Sequence, residues 1–144
     1  MALVTRNHSR LTLEGARAVL TAAQIRARQL NIAVDVAVVD DGGHLIVFER
    51  MDGAKTSSIY IAQVKAQAAA TRRAETRPLM NGENVNLTVA FGVAIADPAH
   101  QIPIRGGVPL LVDGDVVGAI GVSAASEEQD LEIARAGAAA LENA

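Results

Sequence analysis

At 144 residues, half of them hydrophobic and with a mean hydropathy of +0.23, the chain carries enough apolar sequence for one packed domain. A formal charge of −3 and a pI near 5.5 argue against a nucleic-acid partner, which needs a basic face for the phosphate backbone. The absence of cysteine excludes disulfides, thiolate metal sites and thiol nucleophiles. No run approaches the ~18–20 apolar residues of a membrane span, and Met1–His8 lacks the apolar core of a signal peptide. A cytoplasmic chain without membrane contact is therefore expected. Only Phe48, Tyr60 and Phe91 are aromatic, so aliphatic packing dominates. The 13 basic residues include only two lysines, Lys55 and Lys65, which singles each of them out.

The first element is a helix over residues 13–30. Leu13, Ala16, Val19, Leu20, Ala23, Ala27 and Leu30 recur at gaps of three and four, with Glu14, Arg17, Thr21, Gln24 and Arg28 opposite and Thr12 as N-cap. Ile32 to Val39 is rich in β-branched residues, which suits a strand covered on both faces, interrupted only by Asp35. Asp40-Asp41-Gly42-Gly43 is a hairpin signal, because glycine accepts the positive φ of a tight turn. The return strand, His44 to Met51, places His44, Ile46, Phe48 and Arg50 on one side and Leu45, Val47, Glu49 and Met51 on the other. After Asp52-Gly53 an alanine-rich helix is expected over about 57–73.

Residues 74–100 are broken by Pro78, Asn81-Gly82 and Asp97-Pro98. Leu87–Ala96 fits a short helix or a buried strand, and helix is favoured. Gln101–Arg105 reads as a short strand held to a sheet edge by Pro103. Val108–Val112 and Val116–Ser123 are strands joined by Asp113-Gly114-Asp115. Ser126 and Gln129 form a capping-box pattern opening a last helix, with a stripe of Ile133, Ala134, Gly137, Ala138 and Leu141. Two strand pairs on short turns, with helices to cover them, make a single α+β domain with an antiparallel sheet.

Three stretches carry a family resemblance. They are Val36 to Ala54, with its Asp-Asp-Gly-Gly-His turn and Glu-Arg-Met-Asp-Gly end; Ala62-Gln-Val-Lys65-Ala with Thr71; and Gly106-Gly-Val-Pro109 continuing through Gly118–Ser123 to Glu128-Gln-Asp130. Together they resemble the GlcG/HbpS-like family, which includes the C-terminal domain of PduO-type proteins, over nearly the whole chain. The resemblance implies a profilin-like α/β/α sandwich on a five-stranded antiparallel sheet, commonly a homo-oligomer. It also implies haem or another tetrapyrrole as a candidate ligand. The chain departs from many relatives in carrying Ala124-Ala125 where they have a glycine pair, and no haem axial ligand is matched residue by residue.

His44 is the leading polar candidate, since an imidazole ligates iron or shuttles protons near neutral pH. The alternative is that it merely hydrogen-bonds its hairpin. His100, beside Asp97-Pro98, is a second candidate metal ligand, and His8 is set aside as terminal. Arg50 and Asp52 end the second strand, where the guanidinium suits a carboxylate or propionate or the two form an ion pair. His44 and Arg50 stand about 20 Å apart along the strand, too far to share one small ligand within a subunit. Lys65 has only Ile61, Ala62, Ala68 and Ala69 at helical spacing. It is the candidate catalytic base or anion binder, with no acid on its own helix; the alternative is a snorkelling amine. Arg105-Gly106-Gly107 offers a cation beside backbone N–H groups, an anion-binding nest or, as the larger share, a bulge at a strand junction. Gly118-Ala-Ile-Gly121 lies inside a strand and is no dinucleotide fingerprint. Glu127, Glu128 and Asp130 are read as serving the last helix's dipole.

Three readings follow. The first is a homo-oligomeric binding protein for haem or a related tetrapyrrole, with slow haem degradation as a candidate activity. Here Arg50, Lys65 and Arg105 hold propionates and His44 or His100 approaches the iron. The second is a cofactor-independent isomerase, tautomerase or hydrolase acting on a small carboxylic acid, with Lys65 as base. The third is an assembly or regulatory module.

Overall fold

The computed structural model describes residues 1–142. Helix α1 spans Leu13–Gln29, and the Thr12 hydroxyl caps it by accepting from the Gly15 N–H at 3.0 Å. Its buried stripe is Ala16, Val19, Leu20, Ala23 and Ala27, as the spacing predicts, but Leu13, expected in it, lies exposed in the first turn and Leu30 is only half-buried. Gln24, expected on the outer face, is also buried because its amide donates to Glu49 Oε2 at 2.7 Å. The helix stops where Asn31 turns left-handed at φ 56°.

Strands β1 (Asp35–Asp40) and β2 (Leu45–Arg50) form the expected hairpin, with Gly43 at φ 85°. After a single 3-10 turn, α2 runs Ile59–Arg72 and ends on Arg73 at φ 56°. The short β3 (Met80–Asn81) and β4 (Asn84–Val85) pair only with each other. Leu87–Ala96 is a helix, α3, capped by the Asn86 side chain accepting from Val89 N. Strands β5 (Gly107–Val112) and β6 (Asp115–Ser123) are joined by the expected turn. Helix α4 (Glu127–Ala138) opens with the complete Ser126–Gln129 capping box and is prolonged by a 3-10 turn over Ala139–Leu141.

The main sheet is antiparallel, in the order β2-β1-β6-β5. It has four strands where five were expected. Residues 101–105 form no strand, since Pro103 brings no N–H to a ladder and Gly106, at φ 121°, turns the chain before β5 begins. The additional strand pairing is the separate β3–β4 hairpin.

Alternation along the central strand divides the core. Val36 and Val38 join α1 and α4 in one apolar cluster, whereas Ala37 and Val39 face Ala62, Ala66, Ala69 and Ala70 of α2 in another. The alanine face lets α2 lie so close to the sheet that a Cβ on Gly121 would overlap the Ala62 carbonyl oxygen. Helices thus cover both faces of the sheet. Among the described residues no helix is long and apolar enough to cross a membrane.

Candidate functional site

The β1–β2 turn is built around one carboxylate. Asp40 Oδ1 accepts from the N–H groups of Gly42 and His44, each at 2.9 Å, which holds the turn closed. The same carboxylate lies against the His44 ring, with Nδ1 3.1 Å from Oδ1 and 3.2 Å from Oδ2. Gly42 makes room for this contact, since a Cβ there would stand 2.9 Å from His44 Cε1. The imidazole is nevertheless 82% exposed. It borders a cleft of about 590 Å³, lined also by His8, Arg10, Leu11 and Ile46. Both His8 and Arg10 fall outside the sequence candidates, and His8 is corrected from terminal bystander to cleft lining. Nothing local in the sequence signals that the segment before α1 passes the β1–β2 turn.

Arg50 and Asp52 sit at the other end of β2. With Gln24, Arg28, Glu49 and Met51 they line a smaller polar cleft of about 330 Å³. The ion pair between Arg50 and Asp52 weighed from the sequence is not formed among the described residues. Arg50 instead pairs in register with Asp35, whose carboxylate is fully buried with neither oxygen hydrogen-bonded. Burial pushes that carboxyl above its ordinary range, and the Arg50 charge opposes the shift only in part.

Lys65 is where the structure most changes the expectation. It is 1% exposed, and its ammonium donates to the Val122 carbonyl and to Asp130 Oδ2, each at 2.9 Å. The acid absent from its own helix arrives from α4, so the snorkelling alternative does not apply. Asp130, read as a helix-dipole residue, is buried here, and its other oxygen accepts from Ala125 N at 3.1 Å. Burial raises the Asp130 carboxyl; the Lys65 charge and hydrogen bond and the Ala125 N–H hold it down, and Glu127 adds a smaller upward push. Gly106 belongs to the same clasp, because a Cβ on it would lie 2.6 Å from Val122 O and 2.9 Å from Lys65 Nζ.

The Arg105-Gly106-Gly107 nest is largely filled from within. Arg105 N donates to Glu127 Oε1 and Gly107 N to Thr76 Oγ1, both at 2.9 Å. The Arg105 side chain borders an open cleft with Glu128, Leu131, Glu132 and Arg135. Arg135 itself is held in a two-pronged grip by Glu75, at 2.8 and 2.9 Å, and this hydrogen bonding keeps the Glu75 carboxyl below its ordinary range. His100 lies past the end of α3, with Nδ1 2.8 Å from Asp97 Oδ1. His44 and His100 thus stand in different loops, each with a carboxylate against Nδ1. Among the described residues, no three His, Cys, Asp or Glu side chains gather as a metal cage.

Helix α3 buries none of its residues. Leu87, Phe91 and Ile95 are 74%, 70% and 66% exposed and, with Ala94 and Pro103 close by, make an apolar surface.

Comparison with known proteins places these features in context. The family described as "Haem degrading protein HbpS-like" matches residues 11–139. Protein GlcG of Escherichia coli (strain K12) is 41% identical over 113 residues, which are 78% of this chain and 81% of that protein. The crystal structure of Klebsiella pneumoniae protein ORFY superposes with a TM-score of 0.85 at 27% identity, covering 100% of this chain and 99% of that one. The crystal structure of a PduOC:heme complex superposes with a TM-score of 0.80 at 29% identity, over 93% of this chain and 96% of that one.

Proposed function

This chain belongs to the HbpS-like family, and from that premise we propose that it binds haem or a related tetrapyrrole in the cleft beside the β1–β2 turn. The observation that carries the reading is an exposed imidazole, backed by a carboxylate, opening on a cleft of about 590 Å³. That volume lies within the ~300–1,000 Å³ of small-molecule sites. The lining fits the group. His44 offers a nitrogen to iron, Arg10 a guanidinium to a propionate, and Leu11 and Ile46 apolar contact to a ring. A relative of known structure was crystallised with haem, which supports the ligand class. When bound, haem would supply the redox-active iron that degradation of its ring requires. The chain's own residues would hold it and orient it.

In this reading Arg50, Asp52, Arg105 and His100 lie outside the cleft. Lys65 serves as the clasp between α2, β6 and α4 rather than as a base, because its amine is committed to Val122 and Asp130. We also take the chain to work as a homo-oligomer, a reading supported by the uncovered apolar face of α3. Its mass by light scattering measures this directly, and a monomer at all concentrations would refute it.

Titration of purified apoprotein with hemin, followed at the Soret band, tests the function. A saturable change is expected, and His44→Ala should weaken it by more than the ~10–100-fold that losing a ligand's outer-shell partner costs. A change that never saturates, or one indifferent to His44→Ala, would remove the proposal. A second reading, a cofactor-independent enzyme on a small carboxylic acid, is favoured by the polar cleft of about 330 Å³ bearing Arg28 and Arg50. Its base would have to come from somewhere other than the closed Lys65 clasp. Thermal-shift screening of small carboxylates tests this reading. Stabilisation lost in Arg50→Ala supports it, and no stabilisation by any of them refutes it.

A further inference from the structure

On the reading that the β1–β2 cleft takes a haem, we propose that Asp40 is a positioning residue: it fixes His44 as the Nδ1–H tautomer, so that Nε2 is the bare nitrogen turned toward the ligand's iron.

The geometry is specific about which ring nitrogen is engaged. Nδ1 stands 3.1 and 3.2 Å from the two Asp40 oxygens, while among the described residues Nε2 has no hydrogen-bond partner. A carboxylate only accepts, so in the neutral ring the proton belongs on Nδ1 and the lone pair on Nε2. The carboxylate is held in place before any ligand arrives. Asp40 cannot rotate away without surrendering the Gly42 and His44 N–H groups that close the turn. Gly42 leaves the ring the space it occupies against that carboxylate. A metal-ligating histidine characteristically donates its other N–H to such an acceptor, which orients the ring and raises its basicity. The Asp40–His44 pair has this form with the metal position open to solvent.

Asp40→Asn isolates the effect. The asparagine Oδ1 still accepts from Gly42 and His44, so the turn survives, but the negative charge is gone and an NH₂ group replaces Oδ2, 3.2 Å from Nδ1, which weakens the preference for the Nδ1–H tautomer. In the apoprotein with a neutral ring, ¹⁵N NMR of His44 is expected to show a protonated Nδ1 and a bare Nε2, and Asp40→Asn is expected to move proton population from Nδ1 to Nε2. A wild-type ring protonated on Nε2 overturns the proposal, and that spectrum decides the matter even if Asp40→Asn does not fold. With hemin, Asp40→Asn is expected to bind about 10–100-fold more weakly. Its midpoint potential should be more positive, since the ring becomes a poorer donor to ferric iron. Hemin affinity and potential equal to wild type also overturn it. Hemin binding indifferent to His44→Ala, with the expected tautomer in place, removes the haem reading and leaves the positioning by Asp40 standing.

Discussion

The Lys65–Asp130 clasp makes a strong quantitative demand on stability. Lys65→Met removes the ammonium and leaves the Asp130 carboxylate buried, with only the Ala125 N–H as donor. Breaking one side of a buried ion pair costs about 3–5 kcal/mol, because an uncompensated charge stays behind. For a domain of this size each kcal/mol moves the melting temperature by about 3 °C, so a fall of about 10–15 °C is expected. Lys65→Met combined with Asp130→Leu takes both charges out. The double variant should recover most of the loss, retaining a deficit of about 1–3 kcal/mol for the Ala125 N–H that loses its acceptor. Because the chain has no tryptophan, urea unfolding is best followed by far-UV circular dichroism, with all four proteins compared as a double-mutant cycle. If Lys65→Met costs under about 1 kcal/mol, or the double variant costs the sum of the single ones, the pair is not the coupled clasp described here.

Asp35 predicts a pH dependence. Its folded carboxyl is raised above the ordinary 3.8 by burial, so the folded protein holds that proton more tightly than the unfolded chain. Its contribution is therefore fully present below the ordinary carboxyl range and is lost as pH rises through the raised value. Asp35→Asn cannot ionise, so its urea midpoint should gain on wild type as pH rises from about the ordinary 3.8 through the raised value; parallel pH curves would contradict the assignment. Two glycines separate close packing from helix propensity. Gly121→Ala drives a Cβ into the Ala62 carbonyl and should cost about 3 kcal/mol or prevent folding. Gly92→Ala meets nothing within 4 Å and should stabilise α3 by about 0.5–1 kcal/mol, both read from thermal melts.

What the sequence revealed of the fold follows the range of the interactions involved. Thr12, the Asp40–Gly43 turn and the Ser126–Gln129 box act within a few residues of themselves, and each works as its spacing implies. The helix at Leu87–Ala96 was ambiguous because no polar stripe divides it. Its structure explains why: the helix lies on the outside, uncovered, with no core to impose amphipathic spacing. The fifth strand expected at Gln101–Arg105 is a weak short-range inference of another kind. A stretch with a proline needs a neighbour able to do without its N–H, and no sequence pattern says whether that neighbour exists.

The site residues obey the same logic with larger consequences. His44 is legible because the acid that orients it is four residues away in the same turn. The partner of Lys65 is 65 residues away, on a helix whose acidic start reads equally well as dipole compensation. From the sequence, a lysine among alanines lacks an acid; in the fold, Asp130 of α4 supplies it. Small side chains on α2, with glycine at 106, 107 and 121, bring the helix backbone close enough to the sheet for one long side chain to span to β6 and α4. An isolated charge on an otherwise apolar helix is thus a search instruction for its partner before it is a catalytic candidate. Desolvation makes the unpaired alternative too costly to persist unless function holds it there. The opposite case is Asp35, buried with both oxygens unbonded beside the charge of Arg50. That carboxyl does violate the rule, and in the sequence it reads as nothing more than a polar interruption within the Ile32–Val39 strand.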